Sequence, residues 1–188
     1  MSAPPPEHLN TSALGTRAYW DTAYTTERQN FSSDPTDEGT IWFSDAGAEE
    51  RMLSFLENLS DEDALHKEAD GDIDAGAESE TFTAPTRFLD LGTGNGHLLF
   101  ALREEGWEGE MVGVDYSAVS VALAREIQAS KGEGYEDIVF AEYDILGEDQ
   151  APSWVGPGFD VVLDKGTFDA GEGGGVGEEG GTVPDYEL

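Results

Sequence analysis

Seven consecutive residues, Asp90-Leu91-Gly92-Thr93-Gly94-Asn95-Gly96, form the pattern in this chain that most invites chemistry. They follow the apolar pair Phe88-Leu89 and precede Leu98, Leu99 and Leu102, so they read as a strand turning directly into a helix. Glycines at alternate positions let the backbone turn tightly and leave no Cβ between it and a ligand. Asp115 stands 19 residues after Gly96, at the end of the next apolar run, Met111-Val112-Gly113-Val114. A carboxylate there can accept hydrogen bonds from both hydroxyls of a ribose. Together, the glycine turn and the strand-end acid point to an adenosine-bearing cofactor.

Two such cofactors compete. A dinucleotide site wants G-x-G-x-x-G, with the pyrophosphate held at the helix N-terminus. Here His97 stands where the third glycine would be, and Asp90 precedes the first glycine, a poor neighbour for phosphate. S-adenosyl-L-methionine carries a sulfonium and an ammonium and no phosphate, so the same acid suits it. It is the favoured cofactor and NAD the alternative. Asp90, Gly92, Gly94, Gly96 and Asp115 are the residues assigned to it.

Asp144 and Ile145 follow a third apolar run, Ile138-Val139-Phe140. The Asp144 carboxylate can receive an adenine amine or, equally, cap a turn. A fourth run, Val161-Val162-Leu163, ends in Asp164-Lys165-Gly166-Thr167-Phe168-Asp169. Asp164 is assigned the catalytic role of orienting an incoming amine, and Lys165 either joins it or pairs with Asp164 or Asp169 as structural glue. An amine must be neutral to attack a methyl group, so this chemistry asks for positioning rather than a covalent nucleophile. Tyr19, Trp20, Tyr24, Trp42 and Phe43 offer ring faces that exclude water and attract cations, or simply glue a helical cap to a core. His97 reads as a packing or capping residue. The three histidines have no metal-binding spacing, and the absence of cysteine excludes thiolate chemistry.

The elements that must position these residues alternate strand, helix, strand, helix, strand. That order predicts an α/β fold with a parallel sheet, its strands covered on both faces. Asp90, Asp115, Asp144 and Asp164 then line the carboxyl edge, where open α/β sheets bind ligands. Upstream, a helix over 16–25 puts Trp20 and Tyr24 four residues apart on one face. Ala48, Met52, Phe55, Leu56 and Leu59 form the apolar stripe of a second helix. The chain divides into a flexible arm 1–13, a helical and aromatic cap 14–60, an acidic flexible insert 61–84, a cofactor-binding half-domain 85–170 and a disordered tail 171–188. Residues 61–80 carry nine acids, and the tail carries seven glycines and five acids, compositions that cannot bury a core.

The 188 residues include 41 acids against 9 lysines and arginines, a net charge of −32. Such a charge argues against nucleic acid as a partner and permits a basic protein. No run approaches the roughly 20 apolar residues of a membrane span, and Met1 to Asn10 lacks the pattern of a secretory signal.

Gly15-Thr16-Arg17-Ala18-Tyr19-Trp20-Asp21, Ile41-Trp42-Phe43, the segment 88–96, Val114-Asp115-Tyr116-Ser117 and the segment 159–170 resemble the seven-β-strand methyltransferases. Within them the chain is most similar to the eukaryotic protein-lysine methyltransferases that modify translation elongation factor 1-alpha. The resemblance covers roughly residues 14–170. It implies a Rossmann-like fold and cytoplasmic transfer of methyl groups from S-adenosyl-L-methionine to lysine. By the same resemblance Asp90 and the three glycines surround the methionine part, Asp115 takes the ribose, and Asp144 with Ile145 approaches adenine. Asp164 to Thr167 falls near methyl transfer, and Trp20 belongs to an aromatic lid. The family fold has seven strands and this chain supplies four, so the fold is expected to be incomplete, cut short after the fourth strand. A non-catalytic acidic binding module, or an inactive methyltransferase fragment, is the alternative to an active enzyme.

Overall fold

A computed structural model describes residues 13–69, 83–147 and 152–168. The expectations for residues 1–12, for 70–82 of the acidic insert and for the tail concern positions outside these.

Four strands form one parallel sheet: β1 (Phe88–Leu91), β2 (Met111–Asp115), β3 (Val139–Glu142) and β4 (Val161–Asp164), in the spatial order β3-β2-β1-β4. Two helices connect them, α3 (His97–Glu104) after β1 and α4 (Ala118–Lys131) after β2. Ahead of the sheet come α1 (Arg17–Ser33) and α2 (Ala48–Asp61). The α/β expectation holds, with four strands in place of the family's seven among the described residues.

The strands are apolar because the sheet is covered, but not uniformly. Every residue of the interior strand β2 is buried. The two outer strands each show an apolar side chain to solvent, Val139 on β3 and Val162 on β4, the latter 57% exposed. Full coverage of both faces, expected from the apolar runs, is therefore a property of the sheet's centre only.

The core joins Phe88, Met111, Phe140 and Leu163 of the sheet to Leu98, Leu99, Phe100 and Leu102 of α3, and to Leu123, Ala124 and Ile127 of α4. Trp107, between α3 and β2, is 1% exposed and meets Phe88 edge-on. The N-terminal helices are part of this core, since Tyr24 and Phe31 of α1 and Leu56 of α2 all lie in it. Helix α1 packs along α4, where Arg28 holds Glu126 with two guanidinium nitrogens.

Two helices differ from the sequence reading. The α1 helix continues eight residues past the expected end at Thr25, because Phe31 anchors a further pair of turns that otherwise look polar. Thr16 caps its start by accepting from the Tyr19 amide. On α2, Phe55 belongs to the expected apolar stripe yet is 61% exposed, while Leu56 beside it is buried. The stripe of α2 is narrower than its sequence suggests. Residues 64–67 join the body through the Leu59 carbonyl, a reciprocal pair between His66 and Thr86, and the Lys67 carbonyl, which accepts from Glu108.

Candidate active site

Strand register assembles the site. Leu91 lies across from Val114 on one side and Asp164 on the other, so the chain leaves β1 flanked by the acidic ends of β2 and β4. The turn that follows uses left-handed backbone at all three expected glycines: φ is 65° at Gly92, 57° at Gly94 and 83° at Gly96. This is a conformation L side chains rarely adopt. The turn is also tightly roofed. A Cβ at Gly92 would run into the Thr167 side chain, and one at Gly94 into the Tyr24 hydroxyl. Gly96 caps α3 and packs under Phe140.

Asp115 is 5% exposed and faces the turn. Its Oδ2 accepts from the Gly94 amide at 3.1 Å and its Oδ1 from the Ser117 amide at 2.8 Å. Burial pushes its pKa up, against the lowering effect of those two amides. Ser117 in turn donates its hydroxyl to Asp21 of α1 at 2.6 Å, which pins the cap to the second strand end.

Asp90 lies deeper, 3% exposed at the root of the turn. Desolvation raises its pKa to about 7, and the nearby charges of Asp115 and Glu49 add to this, while Thr93 and Lys165 oppose it. The folded chain therefore retains a proton on Asp90 that the unfolded chain gives up near its ordinary value of 3.8. Its contribution to stability is complete below that value and is lost as pH rises toward 7. Asp90→Asn is expected to raise the thermal midpoint at pH 8 and to change it much less at pH 4, as melts at the two pH values will read.

Aromatic rings cover this ground. Trp20 donates its indole N–H to the Leu14 carbonyl, stacks on Tyr24 at 5.9 Å and meets Trp42 edge-on at 4.9 Å. Tyr24 is buried, and burial together with Asp115, Glu27 and Asp90 drives its phenol well above the ordinary value. Asn95 of the turn donates to the carbonyls of Glu38 and Thr40, a second fastening between cap and turn.

The remaining assigned residues serve backbone first. Both Asp164 oxygens are engaged: Oδ1 by the amides of Gly166 and Thr167 at 2.9 and 2.7 Å, Oδ2 by that of Phe168 at 3.3 Å. Thr167 then donates its hydroxyl to the Leu91 carbonyl, closing the loop after β4 over the start of the turn. Asp144 is exposed and its Oδ1 accepts from the Leu146 amide, the turn-capping use weighed for it; Ile145 beside it is half-buried.

The sequence reading missed Glu49. This residue near the start of α2 is 9% exposed and stands 2.6 Å from the Lys165 Nζ and 2.8 Å from the His97 Nδ1. Lys165 thus pairs with Glu49 rather than with Asp164, Asp169 lying outside the described residues, and His97 is more than a packing residue. The signal available in the sequence was an acid in the first turn of a helix, a common feature of helix starts. With Asp90, Asp115 and Glu49 gathered about the start of α3, the surroundings favour a cation over a pyrophosphate. Among the described residues no group of three His, Asp or Glu could hold a metal ion, and no helix is long and apolar enough to cross a membrane.

The chain is similar to known methyltransferases. A methyltransferase domain family matches residues 83–173. The chain is 41% identical over 162 residues to the protein-lysine N-methyltransferase EFM4 of Saccharomyces cerevisiae, covering 86% of this chain and 61% of that protein. It is 34% identical over 164 residues to EEF1A lysine methyltransferase 2 of Danio rerio, covering 87% of this chain and 58% of that protein. The solved magnesium protoporphyrin IX methyltransferase of Synechocystis PCC 6803, with bound SAM, aligns at a TM-score of 0.38 and 20% identity over 76% of this chain and 61% of that one. The chain spans about three fifths of the length of the curated relatives it matches. The sheet order is common to dinucleotide- and methyl-donor-binding folds, but the family match and the relatives favour a methyltransferase domain over residues 83–173, in a chain similar to lysine methyltransferases, one of them named for EEF1A.

Proposed function

We propose that the chain is the cofactor-side part of an S-adenosyl-L-methionine-dependent protein-lysine N-methyltransferase acting on translation elongation factor 1-alpha in the cytoplasm. The supporting observation is the left-handed glycine turn with the Asp115 carboxylate bonded to its Gly94 amide. The acceptor is suggested by the relative from Danio rerio, EEF1A lysine methyltransferase 2.

The fit to the cofactor follows from the donor set. Three left-handed glycines let the chain turn sharply beneath Thr167, Tyr24 and Phe140, and Asp115 retains acceptor capacity for two ribose hydroxyls after serving two amides. Asp90 offers a carboxyl to the ammonium of the methionine part, and Asp144 and Ile145 take the adenine side. Trp20 and Tyr24 exclude water and turn π faces toward positive charge. When bound, the cofactor supplies an activated methyl group. The chain's own task is alignment and dryness. Asp164 organises the loop on the acceptor side, and its Oδ2, holding only the 3.3 Å bond to Phe168, is the oxygen open to an incoming amine. That amine must shed its proton before attack, which a low-dielectric channel promotes by penalising the ammonium. A net charge of −32 draws a basic protein substrate.

Titration calorimetry with S-adenosyl-L-methionine is expected to show saturable binding at one site. Incubation with labelled cofactor and purified elongation factor 1-alpha, followed by peptide mass spectrometry, is expected to show methylated lysine. No binding by folded protein would defeat the whole reading. Binding without methylation would favour the non-catalytic module, a reading prompted by the share of its relatives' length that the chain spans.

A further inference from the structure

Glu49 belongs to none of the motifs that identify the family fold, yet it joins three parts of the site. It sits near the N-terminus of α2 and reaches Lys165 in the loop after β4 and His97 at the first residue of α3. A second contact follows the same route: Phe43, held at φ 62°, lays its ring against Gly166, beside Lys165. The Lys165 side chain is only 15% exposed. An ammonium so far from water needs a carboxylate partner.

Glu49 and Asp90 both lie within electrostatic reach of Lys165, and their fates are linked. The Lys165 charge stabilises the ionised form of Asp90, and the Glu49 charge disfavours it. In the structure the ammonium sits on Glu49, 2.6 Å away, and Asp90 makes no ion pair with it. Glu49 holds the cation firmly: the Lys165 and His97 contacts outweigh its burial and leave its pKa at about 2.

We propose that Glu49 is a positioning residue which, by holding Lys165, keeps Asp90 free of an internal cation and thereby sets the preference of the glycine cradle for a positively charged ligand over its neutral counterpart. The inference rests on the cofactor reading above and deepens it. S-adenosyl-L-methionine and S-adenosyl-L-homocysteine differ by one methyl group and by the charge on sulfur. Loss of the Glu49 charge leaves the Lys165 charge to act on Asp90 without its present partner, and the released positive charge then opposes a sulfonium more than a thioether.

Calorimetry at pH 8 with both ligands tests this on the full chain, with circular dichroism reporting the fold of each variant. Glu49→Gln is expected to weaken S-adenosyl-L-methionine about tenfold and S-adenosyl-L-homocysteine about threefold or less. Lys165→Met removes a positive charge and is expected to shift the ratio of the two affinities the other way. The double variant, neutral in net change, is expected to restore the ratio to within about twofold of the parent. Equal weakening of both ligands by Glu49→Gln overturns the proposal, because a bracket that merely holds the fold would act on both alike. So does a shift of the same sign, or none, in Lys165→Met, and that arm decides alone if Glu49→Gln does not fold. A parent chain that binds neither ligand overturns the cofactor reading itself and this inference with it. One that binds both, with an unchanged ratio in the variants, overturns this inference only.

Discussion

Asp115→Ala is expected to weaken S-adenosyl-L-methionine binding by at least about a hundredfold. The carboxylate has two tasks at once. It accepts from the amides of Gly94 and Ser117, and its remaining lone pairs are the acceptors proposed for the ribose. Removing it leaves two buried amides without their partner and deletes the acceptors. Hydrogen bonds to a charged group are worth about 1.5–3 kcal/mol each, and every ~1.4 kcal/mol is a factor of ten in affinity. Asp115→Asn separates the tasks, since its amide oxygen still accepts from one backbone N–H while charge and one acceptor are lost. It is expected to weaken binding about tenfold. Calorimetry measures both, with the thermal midpoint as a check on folding. A Kd for Asp115→Ala within threefold of the parent would show that the ligand sits elsewhere.

Gly94→Ala carries the second large effect, and it falls on stability as well as on binding. A residue with a Cβ at φ 57° costs roughly 1–2 kcal/mol for left-handed backbone alone. Here the new methyl also meets the Tyr24 hydroxyl, and displacing a packed, buried ring adds about 1–3 kcal/mol. Gly106 provides the control. Its φ is 87° and nothing lies within 4 Å of the Cβ position, so Gly106→Ala bears the backbone cost only. Denaturant unfolding is expected to show about twice the loss at Gly94 that it shows at Gly106. Tyr24→Phe, by removing the colliding oxygen, is expected to recover part of the difference in the double variant. Equal losses at the two glycines, with no recovery, would mean that Tyr24 does not press on the turn.

Local signals explain which features could be read from the chain. The four strands announce themselves as short apolar runs, and each observed strand agrees with its run to within two residues. The glycine turn was legible because strand, glycines and helix follow one another without a gap, and Asp115 because it ends the next strand. What escaped depends on contacts between distant segments. The second half of α1 is polar apart from Phe31, so no periodicity marks it, and its burial comes from lying on α4. Phe55 fits a helical stripe equally well whether or not a neighbour covers it. Glu49 is one acid among 41, and only the approach of Lys165 and His97 distinguishes it. Asp164 was recognisable by position, yet its three amide partners follow from how the loop folds back, which residue types alone do not specify.

The shared core of α1 and the sheet bears on how the gene may be divided. Tyr24 and Phe31 are interior side chains, and Asp21 fastens the same helix to Ser117, just beyond the end of β2. A splice variant or protease cut that removes the first 33 residues would not trim an accessory. It would strip one wall from the hydrophobic interior and unroof Gly94, so such a product should be sought among insoluble or rapidly degraded species rather than among minimal catalytic domains.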